Sequence, residues 1–190
     1  MIPYPYRCVF RMKYDWKIIQ NKLIFRNPWI ELYQDKVKTR TGKVLDYTWY
    51  KSSDVAVIVP FIHRDNLVMI RQYRYPLRKV LLEFPAGHIE NGEDAAKTAK
   101  RELLEETGYV ANKIDCMYTY HPSVSKTSQL VYIFRASDLV EKKSNREGGE
   151  EIIRTEIISI KELKIMIKQR RIESAGTLLA YLICCSGILS

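Results

Sequence analysis

The stretch Asp54–His63 reads DVAVIVPFIH, and five of the eight residues between its ends are Val or Ile. A β-branched run that is apolar at both odd and even positions must be covered on both faces, which makes it a strand inside a sheet rather than at an edge. Pro60 is expected to limit its far end, because proline donates no ladder hydrogen bond. The remaining elements must supply the cover. Arg64–Asn66 is a polar turn, Leu67–Tyr73 a second strand, and Val80–Phe84 a short strand entering Pro85-Ala86-Gly87. Ile114–Tyr120, Gln129–Ala136 and Ile152–Ile160 are further strands, Asn145–Glu151 is a charged loop, and Lys161–Gln169 and Ser174–Cys185 have helical periodicity. The expected fold class is α+β, with one mixed central sheet between helices.

Ahead of this lies a different pattern. Residues 1–15 are irregular, and Lys17–Arg26, Trp29–Thr39 and Lys43–Lys51 read as strands, with Asn27-Pro28 and Thr41-Gly42 supplying turns. An antiparallel region over residues 1–50 is therefore expected before a main domain over residues 51–190.

The formal charge of +9 allows polyanion binding. It equally fits a solvated basic surface, since Lys and Arg are spread along the chain, with only short groups at Lys142-Lys143 and Lys168–Arg171. Cys8, Cys116, Cys184 and Cys185 lack zinc-ligand spacing, and a reduced cytoplasmic setting fits them. Pro3–Lys13 has no signal-peptide core. Leu178–Leu189 is too short and mixed for a membrane span and reads as a buried helix.

Chemistry concentrates in Glu93–Thr107, a helix expected to start at Asn91 or Gly92, to carry Glu93 and Asp94 in its first turn, and to stop at Gly108. Ala95, Ala96, Ala99 and Leu103 can face a core. Glu102 and Glu106 are four residues apart and share a face, which Glu105 flanks. Like charges at that spacing destabilise a helix, and a hard divalent cation would neutralise them. Spacing alone fits a solvated acidic face just as well, with Arg101 and Glu105 as a surface ion pair.

The wider pattern is more specific. Gly87 is followed after five residues by Glu93, and after seven more by Arg101-Glu102-Leu103-Leu104-Glu105-Glu106-Thr107-Gly108-Tyr109. This resembles the signature box of the Nudix hydrolases, departing from it only at Tyr109, where the family has a bulky aliphatic. The resemblance implies that Glu102 and Glu106 bind metal with Glu105 assisting, that Arg101 orients Glu105 or Glu106, that Glu93 is an auxiliary ligand, and that the carbonyl of Ala86 faces the same ions. Magnesium is the implied cofactor, with manganese able to substitute.

The flanks narrow the resemblance. Arg71-Gln72-Tyr73-Arg74 and Leu82-Glu83-Phe84-Pro85-Ala86-Gly87 are similar to the ADP-ribose and nucleoside-diphosphate-sugar pyrophosphatase branch. In that branch Arg74 would contact the diphosphate and Glu83 would lie near the metals, with Arg71 a weaker candidate for substrate binding. Trp29 or Tyr33 would stack on the base, and the N-terminal sheet would help form a homodimer. A glutamate of the later loop, Glu150 or Glu151 in preference to Glu147, would complete the metal cluster or act as general base. His121-Pro122-Ser123 stands where Ser-Pro-Gly is usual, which leaves base and sugar preference open. The resemblance spans Trp16 to the C-terminus and is strongest over Asp54–Val110. It implies a magnesium-dependent enzyme that splits a nucleoside diphosphate sugar into a nucleoside monophosphate and a sugar phosphate. Cleavage of RNA 5′ ends or of dinucleoside polyphosphates would suit the basic charge, but the two flanking motifs argue against it. A non-catalytic binding module would be expected to have lost box carboxylates, which this chain keeps.

Overall fold

The computed structural model describes residues 16–142 and 152–187. The loop Asn145–Glu151, with Glu147, Glu150 and Glu151, lies outside the described residues, as does Cys8. The chain divides into two compact units, residues 1–51 and 52–190.

In the first unit, β1 (Lys17–Gln20) and β2 (Leu23–Arg26) lie along one side of β3 (Glu31–Lys38), and β4 (Val44–Lys51) along the other, all antiparallel. The single strand expected over Lys17–Arg26 is broken at Asn21-Lys22. There Asn21 turns its amide onto Asp35 Oδ1 (2.7 Å), while the Lys22 carbonyl accepts from the Gln34 N–H. Asn27 builds the next turn by accepting from the N–H groups of Trp29 and Ile30 at 2.9 and 2.8 Å. The buried Asp35 also accepts from Trp49 Nε1 (2.9 Å), and Tyr33 stacks on Trp49 with ring centroids 4.7 Å apart.

The second unit is built around β5 (Val55–Ile62). The elements after it are β6 (Asn66–Arg74), β7 (Lys79–Glu83), β8 (Ala86–His88), α1 (Ala95–Thr107), β9 (Tyr109–Tyr120), β10 (Val131–Glu141), β11 (Ile152–Ser159), α2 (Ile160–Lys168) and α3 (Ala175–Cys185). The sheet runs β11-β6-β5-β10-β9, with β7 on β6 and β8 on β5. β5 and β10 are parallel from Val55↔Val131 to Pro60↔Ala136. Pro60 therefore does not end the strand, as the sequence had suggested. It ends only the pairing with β10, and β5 runs on to pair Phe61 and Ile62 with Leu67 and Asn66 of β6.

Alternation along β5 feeds two cores. Ala56 and Ile58 pack with Ala99 and Leu103 of α1 and with Ala111, Phe134 and Ala136. The small alanines let α1 lie close to the sheet. Val57, Val59 and Phe61 pack on the other face with Met69, Ile158, Leu163 and Met166, and with Ala180 and Tyr181 of α3. α3 is buried on one face only, since Leu182 is exposed. Among the described residues, no helix is long and apolar enough to cross a membrane.

Two expectations for α1 change. It begins at Ala95, and Asp94 is its N-cap, accepting from the N–H groups of Ala96 and Lys97. Glu93 and Asp94 thus precede the first turn, because a short acidic side chain satisfies the first free N–H groups better than Asn91 or Gly92 placed further back. Gly108 ends the helix in the left-handed conformation (φ 78°), as expected. Asp94→Ala should lower stability by about 1 kcal/mol in chemical denaturation, with activity per folded molecule unchanged.

Candidate active site

The site forms where the β7–β8 turn meets α1. The three-residue strand β8, which the sequence did not reveal, pins Ala86, Gly87 and His88 against Val57, Ala56 and Val55. Ile58 N–H bonds the Pro85 carbonyl (2.9 Å) and anchors the entry. α1 then presents its carboxylates to this turn. Glu106 is 3% exposed, and its Oε2 accepts from the Ala86 N–H at 2.9 Å. The carboxyl group of Glu102 lies against Gly87, where a Cβ atom would meet it at 1.9 Å. Only glycine leaves room for that approach. Glu102 and Glu106 therefore converge on one turn, as their spacing suggested.

Arg101 gathers the other acidic groups. Its Nη1 lies 2.8 Å from Glu102 and 2.9 Å from Glu105, and its Nη2 lies 3.2 Å from Glu93. Burial works against the guanidinium charge, but these carboxylates outweigh it and raise the pKa above its ordinary value. The same hydrogen bonding holds Glu93 below the usual carboxylate value. Glu105 is half exposed and Glu93 largely covered.

Arg74 and Glu83 are joined, Nε to Oε2, at 2.7 Å. Glu83 pairs with Ile70 in the sheet, so Ile70, Gln72, Arg74 and Glu83 share a face. Arg71 is on the opposite face with Met69 and Leu82, which belong to the core under α2 and α3. There it bonds Glu156 through Nε (2.8 Å) and Nη2 (3.3 Å). Glu156 cannot be picked out by local pattern, because the pairing of β11 with β6 that brings it to Arg71 is not local. Trp29 is 73% exposed, and Tyr33 donates to Glu31, both in the N-terminal unit. His121 Nδ1 is 2.9 Å from the Gln129 carbonyl, a bond within its own loop.

The Arg71 guanidinium, followed by Arg154, holds the Glu156 carboxyl below its ordinary value of 4.5. A folded-state pKa that is depressed stabilises the fold above the unfolded value and loses that effect as pH falls through the folded value. Melting curves of the wild type and Glu156→Gln should therefore differ above pH 4.5 and converge below it. A gap independent of pH would contradict the pairing.

Among the described residues, no three His, Cys, Asp or Glu side chains form one closed metal-ligand group. The meeting of Glu102 and Glu106 at one turn still provides enough protein donors for a hard cation. Hard cations such as magnesium take only one or two protein carboxylates and complete their shell with water and substrate phosphate. The carboxylate donors and the close approach allowed by Gly87 fit such an ion.

The chain belongs to the Nudix family, whose NUDIX domain matches residues 52–180. It is similar to an ADP-ribose pyrophosphatase of Bacillus subtilis (strain 168), 29% identical over 85% of this chain and 88% of that protein. It is also similar to a methanol dehydrogenase activator of Bacillus methanolicus, 30% identical over 88% of this chain and 91% of the relative. A crystal structure of an ADP compounds hydrolase matches with a TM-score of 0.80 and 21% identity, covering 89% of this chain and 91% of that one, and so shares the fold. Nudix hydrolases generally need a divalent metal ion.

Proposed function

We propose that this protein is a magnesium-dependent pyrophosphohydrolase that splits ADP-ribose, or a related nucleoside diphosphate sugar, into a nucleoside monophosphate and a sugar phosphate. The observation that carries this reading is the meeting of Glu102 and Glu106 at the Ala86-Gly87 turn. Similarity to an ADP-ribose pyrophosphatase supports the substrate class.

Glu102 and Glu106 would hold the metal, with the carbonyl of Ala86, Glu105 and Glu93 as auxiliary donors. Magnesium suits these hard oxygen donors, and manganese can substitute. The bound ion supplies charge neutralisation at the diphosphate and a more acidic water. Arg101 keeps Glu93, Glu102 and Glu105 together against their mutual repulsion. Arg74, oriented by Glu83, binds the diphosphate, because a guanidinium offers several N–H donors in a fork that fits phosphate oxygens. Arg71 is tied to Glu156 on the opposite face and is a structural residue in this reading. A carboxylate, either Glu105 or one of Glu150 and Glu151, accepts the proton of the attacking water. The new bond forms between that oxygen and phosphorus, and the bond from phosphorus to the bridging oxygen breaks. Positioning and charge neutralisation do most of this work.

The reading extends to a homodimer. The N-terminal unit exposes Ile18, Ile19, Leu23, Ile24, Phe25 and Trp29, a set that a second subunit would cover, and Trp29 is the group assigned to stack on the base. Free cysteines at Cys116, Cys184 and Cys185 support a cytoplasmic setting.

The test is a substrate panel. The purified protein is incubated with Mg²⁺ and ADP-ribose, ADP-glucose, GDP-mannose, NADH or capped RNA, and released phosphate monoesters are measured. A nucleoside diphosphate sugar should show the highest kcat/KM. No turnover of any diphosphate would sink the enzyme reading, and a monomer in light scattering would sink the dimer.

A further inference from the structure

We infer that a cleft between the far ends of β5 and β10 binds a small phosphate ester, at a site separate from the Nudix box. Among the described strands, β5 and β10 are the one parallel pair. Their ladder stops at Pro60↔Ala136, where proline has no N–H to donate. Beyond that point β5 pairs with β6, and β10 continues along β9, as in Leu139↔Ala111. The two strands part, and a cavity of about 430 Å³ opens between them. That volume suits a small-molecule site. Its position, at the carboxyl ends of parallel strands, is where open α/β sheets bind ligands. The box turn is at the other end of β5, since Gly87 and His88 pair with Ala56 and Val55.

The lining of the cleft defines the ligand. Arg64, Arg135 and His63 bring positive or hydrogen-bonding nitrogen, Ser137 and Asp138 bring oxygen, and Phe61, Ile62 and Leu139 are apolar. Neither Arg64 nor Arg135 has a carboxylate partner among the described ion pairs. The Arg135 guanidinium is held 4.4 Å above the Phe61 ring, which orients it. Both rims carry a residue in the left-handed region, His63 at φ 59° and Asp138 at φ 55°. Arg78 and Arg170 have the same conformation elsewhere, so the lining and not these angles marks the cleft. Two guanidinium groups against one carboxylate favour a dianionic phosphate, which matches their planar fork of donors. Asp138 and Ser137 suit hydroxyl groups, so a sugar phosphate satisfies the whole lining better than inorganic phosphate does.

The protein has three histidines, so their ring signals can be assigned in proton NMR, with His63→Gln identifying the reporter. Ribose 5-phosphate, inorganic phosphate and ribose are titrated separately into the full chain in EDTA, which keeps metal from the box. The His63 signal should shift saturably with ribose 5-phosphate, more weakly with phosphate, and not with ribose. Arg64→Ala, on an exposed turn, and Arg135→Ala should each weaken binding by about tenfold. Arg135→Lys, which keeps the charge, should recover part of that loss. Absence of a saturable His63 shift, an equal shift with ribose, a shift confined to His88 at the box, or unchanged binding in both alanine variants would overturn the inference. None of these outcomes depends on turnover, so the site and the proposed reaction can fail separately.

Discussion

Glu106→Gln should lower kcat by roughly 10²–10³-fold, with the melting temperature close to that of the wild type. Glutamine has the same shape, and its amide oxygen can still accept from the Ala86 N–H that Glu106 Oε2 binds at 2.9 Å. The turn is therefore preserved. What disappears is a negative charge at a position only 3% exposed, in surroundings where electrostatic effects are larger than in water. The measurement is kcat on ADP-ribose at saturating Mg²⁺, together with a thermal melt. Near-normal turnover would remove Glu106 from the metal site. Lost turnover with an unfolded protein would instead assign it a structural role.

The second large effect should come from a residue with no functional group. Gly87→Ala would place a Cβ atom 1.9 Å from the Glu102 carboxyl, a separation that atoms cannot keep. The obstacle is the end of a flexible side chain rather than backbone, so Glu102 can swing aside. Stability should change by less than about 1 kcal/mol. Activity should fall by about 10–100-fold, and the Mg²⁺ concentration for half-maximal rate should rise, as when a group that orients a metal ligand is disturbed. Wild-type metal dependence in this variant would show that the approach of Glu102 to Gly87 does not matter for metal binding. Together the two variants separate the charge of one carboxylate from the placement of the other.

Much of this was legible in the chain itself. The apolar run at Asp54–His63 gave the central strand, because a segment with no polar face has nowhere else to go. The helix carrying the carboxylates followed from its periodicity and from Gly108 at its end. Its capping residue, Asp94, is not fixed by pattern, since several neighbouring polar residues can cap and only local geometry selects among them. β8 is not legible in the sequence because three residues carry no periodicity, and its pairing partners lie far away in the chain.

Glu102 and Glu106 meet at the same turn as the one-dimensional spacing implied, since four residues on a helix always return to one face. The arginines are different. Arg71 and Arg74 stand in one short motif, and no local rule separates them. Register does: strand alternation puts Arg74 beside Glu83, and puts Arg71 on the opposite face beside Glu156. The sequence by itself thus determined the central strand, the box helix and its chemical class, because those depend on local period and residue identity. Only the tertiary structure decided which arginine shares a face with Glu83, that a three-residue strand holds Gly87 against Glu102, and that Pro60 parts β5 from β10, because each rests on pairing between segments distant in sequence.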